Sequence, residues 1–511
     1  MADTPAVPPP TPTPQLDSQT IGRLAVRNSI WVSLVSYLTQ ALGFVSNLVL
    51  IRLLTPEIYG FFSMATFWMS AFNLRSKAGL QSAAIQRPES NGELLGTYFV
   101  LDLLAALGSL LLCGFAAVVM LQIGYARPVV LAILVGASAD LIGVVVNPLG
   151  MLLEKELQMS RVTLMNLFAY LIAYLTAIIL AASGWGIWSL LAILLVQAVI
   201  SVGGIYWICR RRLPHVLQWR WRFDKALAGH LLKQGLTAGL SWTALGSIVQ
   251  QYDNFLVGTF VGYTMLGYYD RAYRLASWTN LLLALVLVRV GFPIFAKVQN
   301  DRPRLAHATR LSIWIAFALG CPIALVLLFG ADDLVHLLYG PDWRQSALFL
   351  PYLTLYSLVW PFISIVLWLS IALGHRRVTL LFTAAQVAAL VVLATPLTWW
   401  WGVRGTIAGV MLTMTLAFLI GCWYIFRTLP ISIRDTFGLP VAAALVASLA
   451  LVGTTRLPVW TTLSPLARLG LVSLMGGGLY ALTLFLLDPA ELVGRIRYIV
   501  RMFRPSQSAA A

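Results

Sequence analysis

The sequence predicts an all-α polytopic membrane protein with about fourteen transmembrane helices: two parallel six-helix repeats around a central cleft, plus two extra C-terminal helices. Of its 511 residues, 59% are hydrophobic and only 11% are charged, which leaves too little polar surface for a soluble protein of this size. Apolar runs of the roughly 20 residues that a spanning helix needs recur along nearly the whole chain. These runs are unbroken, as at 110–121, whereas a transmembrane β-barrel would show short alternating segments.

Each predicted span follows one apolar run. The spans cover 28–54, 58–82, 94–122, 128–152, 161–182, 187–209, 235–260, 265–295, 311–330, 346–373, 378–400, 405–426, 439–455 and 467–487. The chain before them, 1–27, is rich in proline and predicts a disordered tail. It is not a secretory signal peptide, because it lacks an early basic region and the first apolar run is too long.

Lysine and arginine are distributed unevenly between the two sides of these spans. The odd-to-even gaps hold few of them, whereas the tails and the even-to-odd gaps hold most. This bias predicts that both termini are cytoplasmic. The net charge of +16 is then an orientation signal in contact with membrane lipids, and it predicts no nucleic-acid partner.

Two shifted matches indicate an internal repeat. A shift of 207 residues places Asn47 on Asn254 and Gly60 on Gly267, and a shift of 216 places RVTL at 161–164 on RVTL at 377–380. We therefore expect two like-oriented halves related by a pseudo-twofold axis along the membrane normal, which is an architecture of alternating access. The domains follow as a tail (1–27), an N-lobe (28–209), a basic amphipathic linker (210–234), a C-lobe (235–427), two extra spans (428–487) and a basic tail (488–511).

Basic residues inside spans 8 and 2 predict the binding of an anion. Arg271 and Arg289 are eighteen residues apart, so on a straight helix they lie on one face about 27 Å apart, with Arg274 nearby. Such a stripe is costly against lipid and is expected to face the cleft. Arg75 and Lys77 add charge in span 2. A cleft with several cations and no matching acids favours a phosphate ligand.

Alternatives remain open for these cations. Arg289 and Lys77 can extend to the inner interface, and Asp270 can neutralise Arg274 because the two are four residues apart on a helix. Tyr273 and Trp278 are candidate contacts for sugar rings, which stack on aromatic faces. The alternative for the tyrosines of this region is the aromatic belt at the membrane surface.

Acidic residues inside spans are candidates for ion coupling. Asp253 stands beside Gln250, Gln251 and Asn254, and Asp102 and Asp140 lie in spans 3 and 4. A carboxylate with polar neighbours inside a membrane is typical of a proton or Na⁺ site. The structural alternative is a hydrogen bond between helices.

The sequence shows no catalytic constellation. A Walker A motif is absent, and the histidines and cysteines lack metal-ligand spacing. We therefore predict a protein that is not an enzyme, with no metal and no cofactor.

Several motifs resemble one family of transporters. LIRLLTPEIYGFFSMA near the start, AGLQSAAIQ at the end of span 2, DNFLVGTFVGYTMLGYYDRAYRL, FPIFAKVQND and the GHRRVTL turn resemble Wzx-type polysaccharide flippases of the MOP superfamily, in particular the colanic-acid and exopolysaccharide exporters. Arg75-Ser76-Lys77 departs from the more apolar pattern of that family.

The resemblance implies flipping of undecaprenyl-pyrophosphate-linked oligosaccharides between the leaflets of a bacterial inner membrane, for exopolysaccharide, capsule or O-antigen synthesis. It also implies coupling to an H⁺ or Na⁺ gradient, with a polysaccharide polymerase and a chain-length regulator as partners. A peptidoglycan-precursor flippase or a drug antiporter of the same superfamily is an alternative. A membrane-embedded polymerase or glycosyltransferase is another, although the short outside loops disfavour it.

Overall fold

The structure of the protein is a computed structural model. It describes residues 18–87, 91–156, 158–214, 216, 219–238, 245–280, 283, 295, 298–487, 489 and 494–495, with no side chains described at 18–30, 237–238, 376 or 435. Within these ranges the regular secondary structure is entirely helical, as the sequence predicts.

The helices of the first half of the chain are bounded as follows. They are α1 (Ser18–Leu53), α2 (Pro56–Phe72), α3 (Leu74–Ala78), α4 (Leu80–Ile85), α5 (Gly92–Ile123), α6 (Arg127–Ile142), α7 (Val146–Lys155), α8 (Met159–Ala182), α9 (Ile187–Arg212), α10 (Lys225–Ala238), α11 (Leu245–Phe260) and α12 (Tyr263–Ala276).

The helices of the second half follow in the same order. They are α13 (Arg302–Phe329), α14 (Ala331–Leu338), α15 (Arg344–Ala372), α16 (Arg376–Ala389), α17 (Thr395–Trp401), α18 (Val403–Thr428), α19 (Leu439–Thr455), α20 (Val459–Thr462), α21 (Pro465–Leu474) and α22 (Tyr480–Leu487). Single π-helical turns at 390–394, 434–438 and 475–479 interrupt otherwise continuous helices.

The described residues contain eleven helical segments that are long and apolar enough to cross a membrane. They coincide with the predicted spans other than spans 2, 7 and 8, so the chain is a multi-pass helical membrane protein. Span 13 has the predicted bounds, 439–455. The total of fourteen stays a prediction, because much of the predicted span 8 after residue 280 lies outside the described residues.

Two predicted boundaries differ from the structure. Helix α1 begins at Ser18, so the last ten residues of the predicted disordered tail, 18–27, are helical. The predicted span 58–82 is not one helix but breaks at Asn73 and again at Gly79. Asn73 has an extended backbone and its Oδ1 accepts the Ser76 N–H at 2.8 Å, while Gly79 adopts a left-handed φ of 57° that glycine tolerates without strain.

The chain divides into two compact units. The first takes its residues from 1–49, 78–110 and 135–236, and the second from 50–77, 111–134 and 237–511. They differ from the predicted lobes because 50–77 and 111–134 belong with the second unit. The division into two lobes stays a prediction.

The first unit holds the linker that the sequence predicts between the lobes. The core of the first unit contains Leu94, Leu152 and Cys209 from α5, α7 and α9. The chain after α9 runs along the first turns of α5, where the Arg222 N–H donates to the Gly92 carbonyl at 3.3 Å. The Trp221 ring packs edge-on against Phe99. The linker is therefore packed in part against its own unit.

The second unit fixes helix α2 against α12. Trp343 is fully buried, and its Nε1–H donates to the Ile51 carbonyl at 3.0 Å. The same indole ring packs edge-on against Tyr59 and Tyr268. These contacts hold the start of α2 beside the first turns of α12 and so position the residues of the candidate site.

Helices α2 and α12 approach each other at two equivalent glycines. A Cβ on Gly60 would overlap the carbonyl oxygen of Tyr263, and a Cβ on Gly267 would overlap that of Pro56. Gly60 and Gly267 are 207 residues apart, and so are Pro56 and Tyr263. The contact is thus reciprocal, as a local twofold relation between the two helices requires, and it has the register of the repeat found in the sequence.

We expect the substitution Gly267→Ala to destabilise the protein by about 3 kcal/mol, at the upper end for overpacking, because a backbone carbonyl cannot rotate away as a side chain can. Unfolding of the purified protein in detergent measures this effect. Gly453→Ala in α19 is the matched control, since a Cβ there meets no atom within 4 Å. Equal stability of the two variants would contradict the close approach.

Candidate functional site

One carboxylate on α12 is shared by two arginines. Arg271 Nε lies 3.0 Å and Arg274 Nε lies 3.1 Å from the same oxygen, Asp270 Oδ2, and Arg271 Nη2 also contacts it. This corrects the expectation that the cations have no matching acid, since Asp270 neutralises one of the two charges. The trio keeps one net positive charge.

The two arginines have different surroundings. The Arg271 side chain is 2% exposed, and its guanidinium lies over the Tyr59 ring at 4.3 Å from the centroid. The attraction between a buried cation and the face of an aromatic ring stabilises this position of the guanidinium. The Arg274 side chain is 51% exposed. Arg271 therefore holds Asp270 in place, whereas Arg274 presents its terminal amino groups outward.

Arg274 borders a polar cavity of about 190 Å³ in the second unit. Its lining comes from α2, α11, α12 and the residue after α12: Ser63, Thr66, Gln250, Gln251, Asn254, Asp270, Tyr273, Arg274 and Ser277. Every one of these side chains is polar. Buried polar groups are normally hydrogen-bonded, yet Ser63 Oγ and Gln251 Oε1 have no partner among the described residues. The cavity thus combines a cation with free donors and acceptors.

Two predicted residues, Arg274 and Tyr273, meet in this cavity. The Tyr273 ring also lies 6.0 Å from that of Tyr356. Trp278 is half-buried and is not among the lining residues. Arg289 lies outside the described residues.

The cations predicted in span 2 lie after its break. Lys77 Nζ donates to the Ala71 carbonyl and so caps the end of α2, as basic side chains commonly do at helix C-termini. Arg75 is half-buried on α3, and neither residue lines the polar cavity.

The three predicted coupling carboxylates have different surroundings. Asp253 is buried in the second unit and accepts the Tyr269 hydroxyl at 2.8 Å and the Asn254 N–H at 2.9 Å. Asp102 is buried in the first unit and accepts Asn147 Nδ2 at 3.1 Å. Asp140 is half-buried on α6. In the described part of the chain, no cluster of acidic, His or Cys residues could hold a metal ion.

Sequence reasoning missed Ser63 and Thr66. They lie three residues apart on α2, on the same side of a helix that is mostly apolar. That spacing was an available signal. The sequence indicates only that Asp253 has three polar neighbours, Gln250, Gln251 and Asn254. In the structure these three residues line the cavity that Arg274 borders.

The first unit holds a second polar cavity, of about 460 Å³, with no charged residue in its lining. It is lined from α1 and α8 by Ser36, Thr39, Gln40, Gly43, Thr163, Asn166, Tyr170 and Tyr174. The Tyr170 and Tyr174 rings are nearly parallel, with an interplanar angle of 20°. Hydroxyls, amides and flat aromatic faces suit a neutral ligand that carries many hydroxyl groups.

Residues 49–348 match the family described as "Polysaccharide biosynthesis protein". The chain belongs to this family. The matched segment makes up more than half of the chain and includes every residue that lines the charged cavity of the second unit. The family assignment thus agrees with the resemblance seen in the sequence.

Other proteins of polysaccharide biosynthesis are similar to this member of the family. The succinoglycan biosynthesis transport protein ExoT of Rhizobium meliloti (strain 1021) is 26% identical over 349 residues, 65% of each chain. The lipopolysaccharide biosynthesis protein WzxC of Escherichia coli (strain K12) is 24% identical over 345 residues, 62% of this chain and 63% of that one. The chain therefore spans just under two thirds of these relatives.

Solved transporter structures share the fold of this family member. A lipid II flippase MurJ in an inward closed conformation has a TM-score of 0.72 at 15% identity and covers 91% of this chain and 100% of its own. An inward-facing multidrug resistance MATE transporter of the MOP superfamily has a TM-score of 0.61 at 17% identity, over 76% and 95% of the two chains. The fold is that of MOP superfamily transporters.

Proposed function

We propose that this chain is a flippase that moves undecaprenyl-pyrophosphate-linked oligosaccharides from the cytoplasmic to the periplasmic leaflet by alternating access. The observation that carries the proposal is the polar cavity of the second unit, into which Arg274 brings a net positive charge. Charged groups inside a membrane protein are costly and mark ligand pathways. The cavity lies in the segment that matches the polysaccharide biosynthesis family.

The anionic part of such a lipid fits the chemistry of Arg274. A guanidinium has five N–H donors, and only its Nε–H is committed to Asp270. Within the part of the chain that the structure describes, its terminal N–H groups have no hydrogen-bond partner, so they can donate to a phosphate. Bonds between arginine and phosphate are among the strong charge-assisted ones. Gln250, Gln251 and Ser63 add neutral donors around it. A pyrophosphate supplies anionic acceptors for these donors.

The neutral cavity of the first unit, taken by itself, suits a carbohydrate. Gln40 and Asn166 offer amide groups that both donate and accept, and Tyr170 and Tyr174 offer stacking faces. A sugar ring presents hydroxyls at its edge and apolar C–H groups on its faces, so it uses both kinds of contact. The names of ExoT and WzxC, which refer to succinoglycan and lipopolysaccharide biosynthesis, support a carbohydrate substrate.

The proposal places the protein in the bacterial inner membrane with both termini cytoplasmic, as the distribution of basic residues predicts. A polysaccharide polymerase and a chain-length regulator are its proposed partners. The chain itself makes and breaks no bond, and its proposed energy source is an H⁺ or Na⁺ gradient.

A drug antiporter is the second candidate, since the fold is shared with a multidrug MATE transporter. Purified protein in proteoliposomes separates the two functions. We expect it to move undecaprenyl-pyrophosphate-oligosaccharide between leaflets, with inhibition by the free oligosaccharide, and not to transport a cationic dye. Transport of the dye without movement of the lipid would refute the flippase proposal.

Asp253 is the proposed coupling residue, because it is the carboxylate nearest in sequence to the polar residues of α11 that line the cavity. We expect Asp253→Asn to retain flipping down a substrate gradient but to lose its acceleration by an imposed H⁺ or Na⁺ gradient. An unchanged response to both gradients would reject this role. Asp332→Asn, which alters an exposed carboxylate of the same unit, is the control.

A further inference from the structure

A separate basic cavity lies in the second unit where the turn after α15 meets the end of α18. It encloses about 710 Å³ and is lined by His375, Arg377, Trp423, Tyr424, Arg427 and Thr428, together with the turn backbone and Val378. This volume is within the range of small-molecule sites. Neither the proposed transport function nor the family assignment uses it.

Two of the side chains that line this cavity are in hydrogen-bond contact. His375 Nδ1 and the Tyr424 hydroxyl are 2.9 Å apart, and Tyr424 is buried. On the outer wall the Trp423 ring is 60% exposed, and the Arg427 guanidinium lies 5.3 Å from its centroid. The cavity thus offers an apolar aromatic surface next to a cation.

Two arginines bring charge to this cavity from opposite sides. Arg377 comes from the first turn of α16 and Arg427 from the last turn of α18, and both are exposed. Within the described residues, neither forms an ion pair, and no acidic side chain lines the cavity. This differs from Arg274, whose charge is shared with Asp270. An anion would relieve the repulsion between the two guanidiniums.

We infer that this cavity binds the phosphate of an anionic phospholipid headgroup. Arg377 and Arg427 supply the donors for the phosphate, and the exposed Trp423 face supplies a surface for the glycerol and the first acyl carbons, as tryptophan does at membrane interfaces. Both arginines lie in gaps that the charge bias predicts to be cytoplasmic. Basic pockets between helices on that side are typical sites for acidic lipid headgroups.

The test compares the full chain in nanodiscs of phosphatidylcholine with and without phosphatidylglycerol. We expect native mass spectrometry to show retained phosphatidylglycerol and its addition to raise the unfolding temperature. The double variant Arg377→Gln/Arg427→Gln should bind phosphatidylglycerol at least about tenfold more weakly. Arg434→Gln, which removes another exposed arginine of the same predicted face outside the cavity, should bind as the unaltered chain does.

Three results would overturn the inference. One is unchanged binding by the double variant, and another is an equal loss in Arg434→Gln, which would indicate general surface charge. The third is full displacement of the lipid by inorganic phosphate at matched concentration, which would indicate a site for free anions. Arg427→Lys keeps the charge and is the control for misfolding of the double variant. It should retain part of the lipid binding. The inference does not depend on the proposed transport function.

Discussion

Replacing Arg274 with alanine is expected to reduce polymer export at least tenfold while protein abundance stays unchanged. The side chain is half exposed on the polar cavity, and its removal leaves Asp270 paired with Arg271, so the fold keeps a neutral pair. A hydrogen bond to a charged group is worth roughly 1.5–3 kcal/mol, which corresponds to about a tenfold to hundredfold loss of substrate affinity. Lipid-linked units should accumulate in the cytoplasmic leaflet, which extraction and leaflet-specific labelling measure.

Two further variants make that result specific. Arg274→Lys keeps the charge but loses the planar fork of donors, so it should fall between the alanine variant and the unaltered chain. Arg404→Ala removes an exposed arginine from the first turn of α18 that is not among the lining residues of the cavity, and it should export normally. Normal export by Arg274→Ala would remove this residue from the mechanism.

Replacing Arg271 with methionine is expected to lower stability by about 3–5 kcal/mol, because removal of one partner leaves a buried charge poorly compensated. Arg271 is 2% exposed and bonds Asp270 with two nitrogens. From sequence alone, both arginines take the same role in the cleft. The structure separates them, and for Arg271 it predicts reduced abundance before any effect on transport.

A double-mutant cycle isolates that buried pair. The variant Asp270→Asn removes the carboxylate charge, so adding Arg271→Met to it should cost much less than Arg271→Met alone. Thermal unfolding in detergent measures all four proteins. Additive losses would mean that the two side chains do not stabilise one another.

The sequence anticipates features that depend on local pattern. The apolar run at 439–455 became α19 with those bounds, since span length follows from the thickness of the membrane core. The spacing of Asp270 and Arg274 indicated that the two side chains could contact each other, because residues four apart are neighbours on a helix. The 207-residue register that aligned Gly60 with Gly267 reappears in the contact between α2 and α12.

Features that depend on contacts between distant segments were beyond the sequence. The burial of Arg271 arises from Tyr59 on another helix, and nothing local to α12 marks it. The cavity residues Ser63 and Thr66 join those of α11 because α2 packs against both α11 and α12. The break of span 2 at Asn73 is a different case, because Asn73 and the Arg75-Ser76-Lys77 triplet interrupt the apolar run and were a signal for a break in the sequence itself.

The claim that the polar cavity of the second unit binds an anion is tested by the selectivity of the protein for pyrophosphate over an uncharged lipid. Purified protein in nanodiscs is titrated with undecaprenyl-pyrophosphate-oligosaccharide and with an uncharged analogue that lacks the phosphates. We expect the unaltered chain to bind the pyrophosphate lipid at least about tenfold more tightly than the uncharged analogue. Arg274→Ala should lose this preference, whereas Arg404→Ala should keep it. Equal affinity for both lipids in the unaltered chain, or an undiminished preference in Arg274→Ala, would contradict an anion site at this cavity.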